Sequence, residues 1–319
     1  MVLDAESVIE HRRLKRRVTI WRIAAVVLGL LFLGVIMLSD RQVGSAGILP
    51  HVARISVAGI ITDDRKLLEL IDRVGNADQV KAVILDINSP GGTTTGGEAV
   101  YDAIRRLTEK KPVVATCGTL ATSAAYIVAL ATDRIFVYGN TITGSVGVIF
   151  QWANVTELLK TIGIEVDQVK SGPLKAVPNP FEPTDERARA VTKDMVEDAK
   201  VWFVDLVEKR RKIQPSAIPG LTEGRIYSGR QAVDYKLVDQ IGDERTALSW
   251  LTEERGLPAG LKVLQWTPKE ESDGFFGWLV DSGATILGLS GNRIAALLGE
   301  VSSTLELDGL VSVWHPASN

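Results

Sequence analysis

The 319-residue chain contains three histidines, His11, His51 and His315, and one cysteine, Cys117. No histidine lies between positions 52 and 314, so a Ser-His-Asp or Cys-His arrangement would have to draw its base from an extreme of the chain. A lone cysteine forbids an intrachain disulfide, and with so few partners a Cys/His zinc site is out of reach. Any nucleophilic chemistry here calls for a base other than imidazole.

Four segments carry residue types suited to that chemistry. In Asn88-Ser89-Pro90-Gly91-Gly92, two glycines let backbone N–H groups approach a ligand with no Cβ in the way, as half of an oxyanion hole requires. The plain alternative is a turn. The segment has neither the Gly-Lys-Ser/Thr ending of a phosphate loop nor a complete G-x-G-x-x-G. In Gly118-Thr119-Leu120-Ala121-Thr122-Ser123-Ala124-Ala125-Tyr126, Ser123 stands at the front of a small, apolar helix. It is either an N-cap or a nucleophile whose oxyanion would meet the Ala124 N–H and the positive end of the helix. In Thr143-Gly144-Ser145-Val146-Gly147-Val148, Ser145 marks a tight turn or supplies a hydroxyl that orients a base. Lys175, between Leu174 and Ala176 in a proline-stiffened loop, is a solvated surface group unless burial lowers its pKa far enough to make it a base.

Strands and helices that alternate must position these segments. The β-rich run 51–61 and the nearly unbroken β-branched run 80–87 read as strands, the second covered on both faces as in a parallel sheet. Further strands are predicted at 112–117, 134–138, 145–150 and 164–169, and helices at 67–74, 98–110, 122–132 and 155–162. Four prolines in 173–183 mark an irregular loop. A long helix over 185–212 opens on Asp185 and Glu186 and closes on Lys209 to Lys212, in agreement with its dipole. Repeated βα units predict an α/β domain with a largely parallel sheet.

The N-terminus has a different character. Arg12, Arg13, Lys15, Arg16, Arg17 and Arg22 precede an uncharged apolar run at 23–38, or 18–38 with its flanks. That length suits a membrane helix of about 20 residues with snorkelling ends. The basic flank then places 1–22 in the cytoplasm and the bulk of the chain outside it. A cleaved signal peptide, with Gly44-Ser45-Ala46 as its processing site, would export residues 47–319 equally. The net charge of −3 argues against a nucleic-acid-binding protein. A polar stretch at 267–274 and a Gly/Ala/Leu-rich stretch headed by Phe275, Phe276 and Trp278 suit a membrane, a neighbouring subunit or the domain's own core.

Taken in order, the four segments resemble the signal peptide peptidase A family of membrane-anchored serine proteases with a Ser-Lys dyad. Pro180-Phe181-Glu182-Pro183, the stretch from Glu223 to Ala232, and Leu237-Val238-Asp239-Gln240-Ile241-Gly242 fit the same family, so the resemblance covers about 50–250. It implies a ClpP/crotonase-like fold over 47–251, behind an anchor at 23–38 and before an extension of unknown role at 252–319. It makes Ser123 the nucleophile, Lys175 the general base and Ser145 the group that holds the lysine. Gly91 or Gly92, with Ala124, would supply the oxyanion N–H groups. No metal or organic cofactor is implied. The expected substrates are remnant signal peptides or other membrane-associated peptides, the expected assembly a homo-oligomer, and the expected location a bacterial-type inner or cell membrane. The chain departs from the family at Ala124-Ala125, where two glycines are usual and where added methyls would narrow the site. It departs again at Lys236, where a glycine usually precedes Leu-Val-Asp. A crotonase-type acyl-CoA enzyme shares the fold, but an exported domain would not meet cytoplasmic acyl-CoA. A non-catalytic envelope scaffold would have no reason to keep both Ser123 and Lys175.

Overall fold

The computed structural model describes residues 49–268, with Trp21, Arg22 and Val26 near the N-terminus and the backbone of 311–313. The chain divides into two compact units, 1–50 and 51–319. The expected anchor at 23–38 lies almost wholly outside the described residues, as do Phe275, Phe276 and Trp278; among the described residues no helix is long and apolar enough to cross a membrane.

In the second unit, strands and helices alternate: β1 (His51–Ile61), α1 (Arg65–Gly75), β2 (Val80–Thr93), α2 (Thr94–Thr108), β3 (Val113–Thr122), α3 (Ala124–Leu130), β4 (Arg134–Val137) and β5 (Ile142–Gly144). There follow α4 (Thr156–Thr161), α5 (Glu186–Arg211), β6 (Ile226–Ser228), α6 (Gly229–Asp234), β7 (Gln240–Ile241), α7 (Glu244–Arg255), β8 (Val263–Trp266) and β9 (Val311–Val313). The main path of the sheet runs β6-β5-β3-β2-β1-β8, with β4 and β7 branching from β3 and β9 pairing with β2. Pairing is parallel except for β5 with β6 and β2 with β9.

The run 80–87 is apolar throughout because the central strands bury both faces. Val83, Leu85 and Ile87 join Ala53, Ile55, Val113 and Ala115 in a core shared with α1, α2, α3 and α5. Ala82 and Ile84 point the other way, with Val52, Val114 and Phe136, against Ala247 and Leu251 of α7. Side chains alternate along a strand, so each strand feeds two helical layers.

Four expectations are corrected. Asn88–Gly92 is not a turn that ends β2: the strand runs on to Thr93. The ladder with β1 skips from Ala58↔Asn88 to Ile60↔Gly91, so Ser89 and Pro90 form a bulge, where the missing proline N–H costs no ladder bond. The strand expected at 145–150 is shifted to Ile142–Gly144, because Gly144 and Ser145 both take positive φ and turn the chain out of the sheet. Residues 164–169 form no strand; Ile164, Val166 and Val169 are exposed, and among the described residues no strand pairs with them. Finally, the domain does not close at 251. α7 extends to Arg255, and β8 pairs in parallel with β1 from Val52↔Val263 to Ile55↔Trp266.

Candidate active site

Ser123 sits where β3 hands over to α3. Its backbone takes φ 60° and ψ −123°, a conformation that costs a non-glycine residue energy and is held only when its surroundings over-determine it. Here they do: the Ser123 N–H donates to the Gly144 carbonyl at 2.9 Å, while the Ser123 carbonyl accepts from Tyr126 and Ile127 of α3. Ser123 is buried and occupies the N-cap position, yet its side chain makes no capping bond to the helix. The N-cap reading therefore fails, and the strand–serine–helix turn has the form of a nucleophile elbow.

Ser145 follows the same logic one strand over. β3 and β5 are in register at Thr122↔Gly144, so Ser123 and Ser145 leave adjacent strand ends side by side. Ser145 also has positive φ, at 54°, and its N–H donates to the Arg225 carbonyl at 2.9 Å. The stretch 223–232 thus supports the site from behind: β6 pairs antiparallel with β5 and presents that carbonyl.

The glycine strand lies on the other side of β3. Gly91 has φ 113°, open to glycine. A Cβ on Gly92 would lie 1.8 Å from the Ile61 carbonyl oxygen, so only glycine fits there. β9 runs antiparallel along this strand, pairing Val313, Ser312 and Val311 with Gly91, Gly92 and Thr93. Side-chain bonds lock the glycine strand to the nucleophile turn. The Thr122 hydroxyl donates to the Pro90 carbonyl at 3.0 Å, and the Asn88 amide oxygen accepts from the Leu120 N–H at 3.1 Å. Thr143 on β5 donates to the Ala121 carbonyl at 2.7 Å. The Ala124 N–H, the first of α3, has no intrahelical acceptor and stands next to Ser123. The Ala124 methyl is buried against α2, where a Cβ added to Gly97 would lie 3.1 Å from it.

Lys175 is placed differently. It lies in an exposed turn, flanked by exposed Leu174 and Ala176, and its own N–H donates to the Gly172 carbonyl at 3.1 Å. The burial expected of a base is not provided by this loop alone. The loop is pinned at its neck by an ion pair between Lys170 and Glu182, reinforced by the Asn179 amide donating to Glu182 at 2.7 Å. The Lys170 hydrogen bond is the main reason the Glu182 carboxyl is held below its ordinary pKa. Cys117, buried in β3, is no rival nucleophile: burial pushes its thiol up to about 12, so it stays protonated.

Two family models match the chain. Peptidase family S49 matches residues 105–258, and the Clp protease family matches 57–143. A relative from Methanocaldococcus jannaschii that bears a protease name is 32% identical over 215 residues, 67% of this chain and 68% of its own. One from Enterococcus faecium, bearing the name signal peptide peptidase SppA, is 30% identical over 279 residues, 83% of this chain and 76% of its own.

The chain belongs to peptidase family S49.

As an S49 peptidase it is a serine protease, on a mixed α/β fold with a parallel sheet related to Clp protease. The chloroplastic serine protease SPPA of Arabidopsis thaliana is 26% identical over 265 residues, 81% of this chain and 39% of its own. Other S49 motifs noted in the sequence turn out to be braces. The buried Tyr126 hydroxyl donates to the Leu237 carbonyl at 2.7 Å, and Asp239 accepts from the Ile135 N–H at 2.8 Å while pairing with Arg211. Sequence reading missed the hydroxyls of Thr122, Ser89 and Thr143. Their only signal was their place beside glycines and a serine already singled out.

Proposed function

We propose that this S49 peptidase is a membrane-anchored endopeptidase that cleaves remnant signal peptides or other membrane-associated peptides outside the cytoplasm. The observation that carries the site assignment is the buried, positive-φ Ser123, which does not cap its helix and is locked beside the glycine strand. Ser123 Oγ attacks the peptide carbonyl and neutral Lys175 takes its proton. Backbone N–H groups of Ala124 and of Gly91 or Gly92 hold the tetrahedral oxyanion. Lys175 then protonates the leaving amine, and water activated by Lys175 releases the acyl group and regenerates Ser123. Ser145, beside the nucleophile, orients the lysine.

Lys175 must lose water to be neutral at working pH. A homo-oligomer supplies the means. Leu174 and Phe181 on either side of Lys175, and Leu158, Ile162, Ile164 and Val166 in the segment that precedes it in the chain, are all exposed apolar residues suited to a neighbouring copy. Covering them desolvates the lysine.

Two features support an extended, apolar substrate. The edge at Gly91–Thr93 accepts an antiparallel strand, the place taken here by Val311–Val313, and peptides bind sheets by such strand addition. Beside it lies a cavity of about 190 Å³ whose apolar wall, Val57, Ile60, Ile61, Leu67, Leu70 and Trp266, suits an apolar side chain and whose remaining lining, with Asp64 and Gln265, is polar. The basic residues before 23 and the apolar run at 23–38 support the anchor and its orientation.

The test is fluorophosphonate labelling of the full chain in detergent with peptide mapping, alongside cleavage of a synthetic signal peptide. Labelling at Ser123 and cleavage within the apolar core are expected. Labelling at another residue, or none, overturns the site. Cleavage of soluble polar peptides in preference to the signal peptide overturns the substrate class.

A further inference from the structure

The two atoms at either end of one peptide group, Pro90 C=O and Gly91 N–H, are each held by a buried hydroxyl. Thr122 Oγ1 donates to the Pro90 carbonyl at 3.0 Å. The Gly91 N–H donates to Ser89 Oγ at 3.1 Å, and Ser89 in turn donates to the Gly59 carbonyl on β1 at 2.6 Å. Ser89 and Thr122 are both fully buried. A trans peptide is planar, with its C=O and N–H pointing in opposite directions, so holding the carbonyl fixes where the N–H points. Gly91 lacks a Cβ and sits at φ 113°, so local sterics restrain rotation of this plane weakly. The hydroxyl that supplies the restraint belongs to the residue immediately before Ser123.

We infer that Thr122 is a positioning residue of the oxyanion hole: by holding the Pro90 carbonyl, it aims the Gly91 N–H relative to Ser123. The inference rests on the serine-protease site proposed above and narrows its choice of glycine donor to Gly91. Between turnovers the Gly91 N–H rests on Ser89 Oγ. A developing oxyanion is a stronger acceptor than a hydroxyl and shares the N–H with Ser89 Oγ in a three-centre bond, the plane staying where Thr122 holds it. Without the Thr122 hydroxyl the Pro90 carbonyl loses its donor, the plane rotates, and the N–H no longer meets the oxyanion. Substrate binding, which uses the strand edge and the apolar cavity, is left in place. A hydroxyl that only satisfied buried polar atoms would affect stability and leave the chemical step of the folded enzyme unchanged.

The test compares Thr122→Val, Thr122→Ala and Thr122→Ser in the full chain in detergent. It reads kcat and KM on a peptide, the rate of fluorophosphonate labelling at Ser123, and the melting temperature. Loss of a whole oxyanion donor costs about 100–1000-fold in kcat, so a misaimed one should cost about tenfold or more. We expect that loss in both Val and Ala variants, in kcat and labelling rate alike, with KM within about twofold; the Ser variant should stay within about threefold of wild type. Should Thr122→Val not fold, Thr122→Ala carries the same comparison with no added bulk. Wild-type kcat in a folded Ala or Val variant, or equal loss in the Ser variant, overturns the inference alone. A wild type that does not label at Ser123 overturns this inference together with the site on which it rests.

Discussion

The two halves of the proposed dyad are built in opposite ways. Ser123 is buried, at the junction of a long strand and a buried helix, and hydrogen bonds with β2 and β5 converge on its turn. Lys175 is exposed, on a loop pinned at its neck by Lys170 and Glu182. The nucleophile's strained backbone is supported by the sheet and is present in the single chain. The base needs desolvation that its own loop does not provide. Preorganisation is thus concentrated where charge would develop on the oxyanion, and the proposed proton acceptor is the half that, on the reading above, assembly would complete.

The largest expected effects remove one half or the other. Ser123→Ala should lower kcat by about a thousandfold or more with an unchanged melting temperature. Lys175→Arg, which keeps the charge but cannot deprotonate, should be as inactive as Lys175→Ala. Steady-state rates decide it, and an active arginine variant would break the dyad while leaving the serine turn untouched.

The next contrast is in stability. Gly92→Ala places a Cβ 1.8 Å from the Ile61 carbonyl oxygen, whereas Gly172→Ala, near Lys175, meets nothing within 4 Å. Overpacking a strand buried at that contact should cost about 3 kcal/mol. The alanine in the loop should be close to silent. Chemical denaturation of the two variants measures the difference, and equal costs would show that the glycine strand is not as tightly packed as its contacts imply.

A smaller effect concerns β9. If Val311–Val313 competes with substrate for Gly91–Thr93, truncation after 268 should lower KM severalfold and leave kcat nearly unchanged. An unchanged KM would show that peptides dock elsewhere.

The smallest effect tests how the lysine loop is held. Glu182 has a depressed native pKa, caused first by its hydrogen bond from Lys170. Its contribution is therefore present above the ordinary glutamate value of about 4.3 and lost as the pH falls through the lower native one. Amide exchange across 171–181 should accelerate in that acid range, and Glu182→Gln should show faster exchange already at neutral pH. The amides around Ser123 should not respond in either case.

Much of the fold was legible because its signals are local. The strand at 51–61 and the helix at 185–212 were found where they lie, the helix with Asp185 capping Ala188 and Lys212 in the left-handed conformation at its end. Lys236, marked as standing where the family has glycine, does take positive φ, at 59°. Asn88–Gly92 was misread because proline and glycines signal a turn to any local rule, while the bonds that keep them in the sheet come from Gly59, Leu120 and Thr122, each about 30 positions away. The run 164–169 was misread for the converse reason: β-branched residues favour a strand only where another strand is there to pair.

The sequence by itself determined which chemistry was open to this protein. The lack of usable histidine and the doubly apolar strands are properties of residue type and short spacing that pointed to a base other than imidazole and a parallel α/β sheet, and the resemblance carried by the ordered glycine, serine and lysine segments supplied the serine protease. Only the tertiary structure decided that Ser123 is a strained turn and not a helix cap, that Thr122 holds the glycine strand, and that Lys175 stands in water. Each of these depends on bonds or exposure set by segments far apart in the chain, and no local pattern of side chains carries that information.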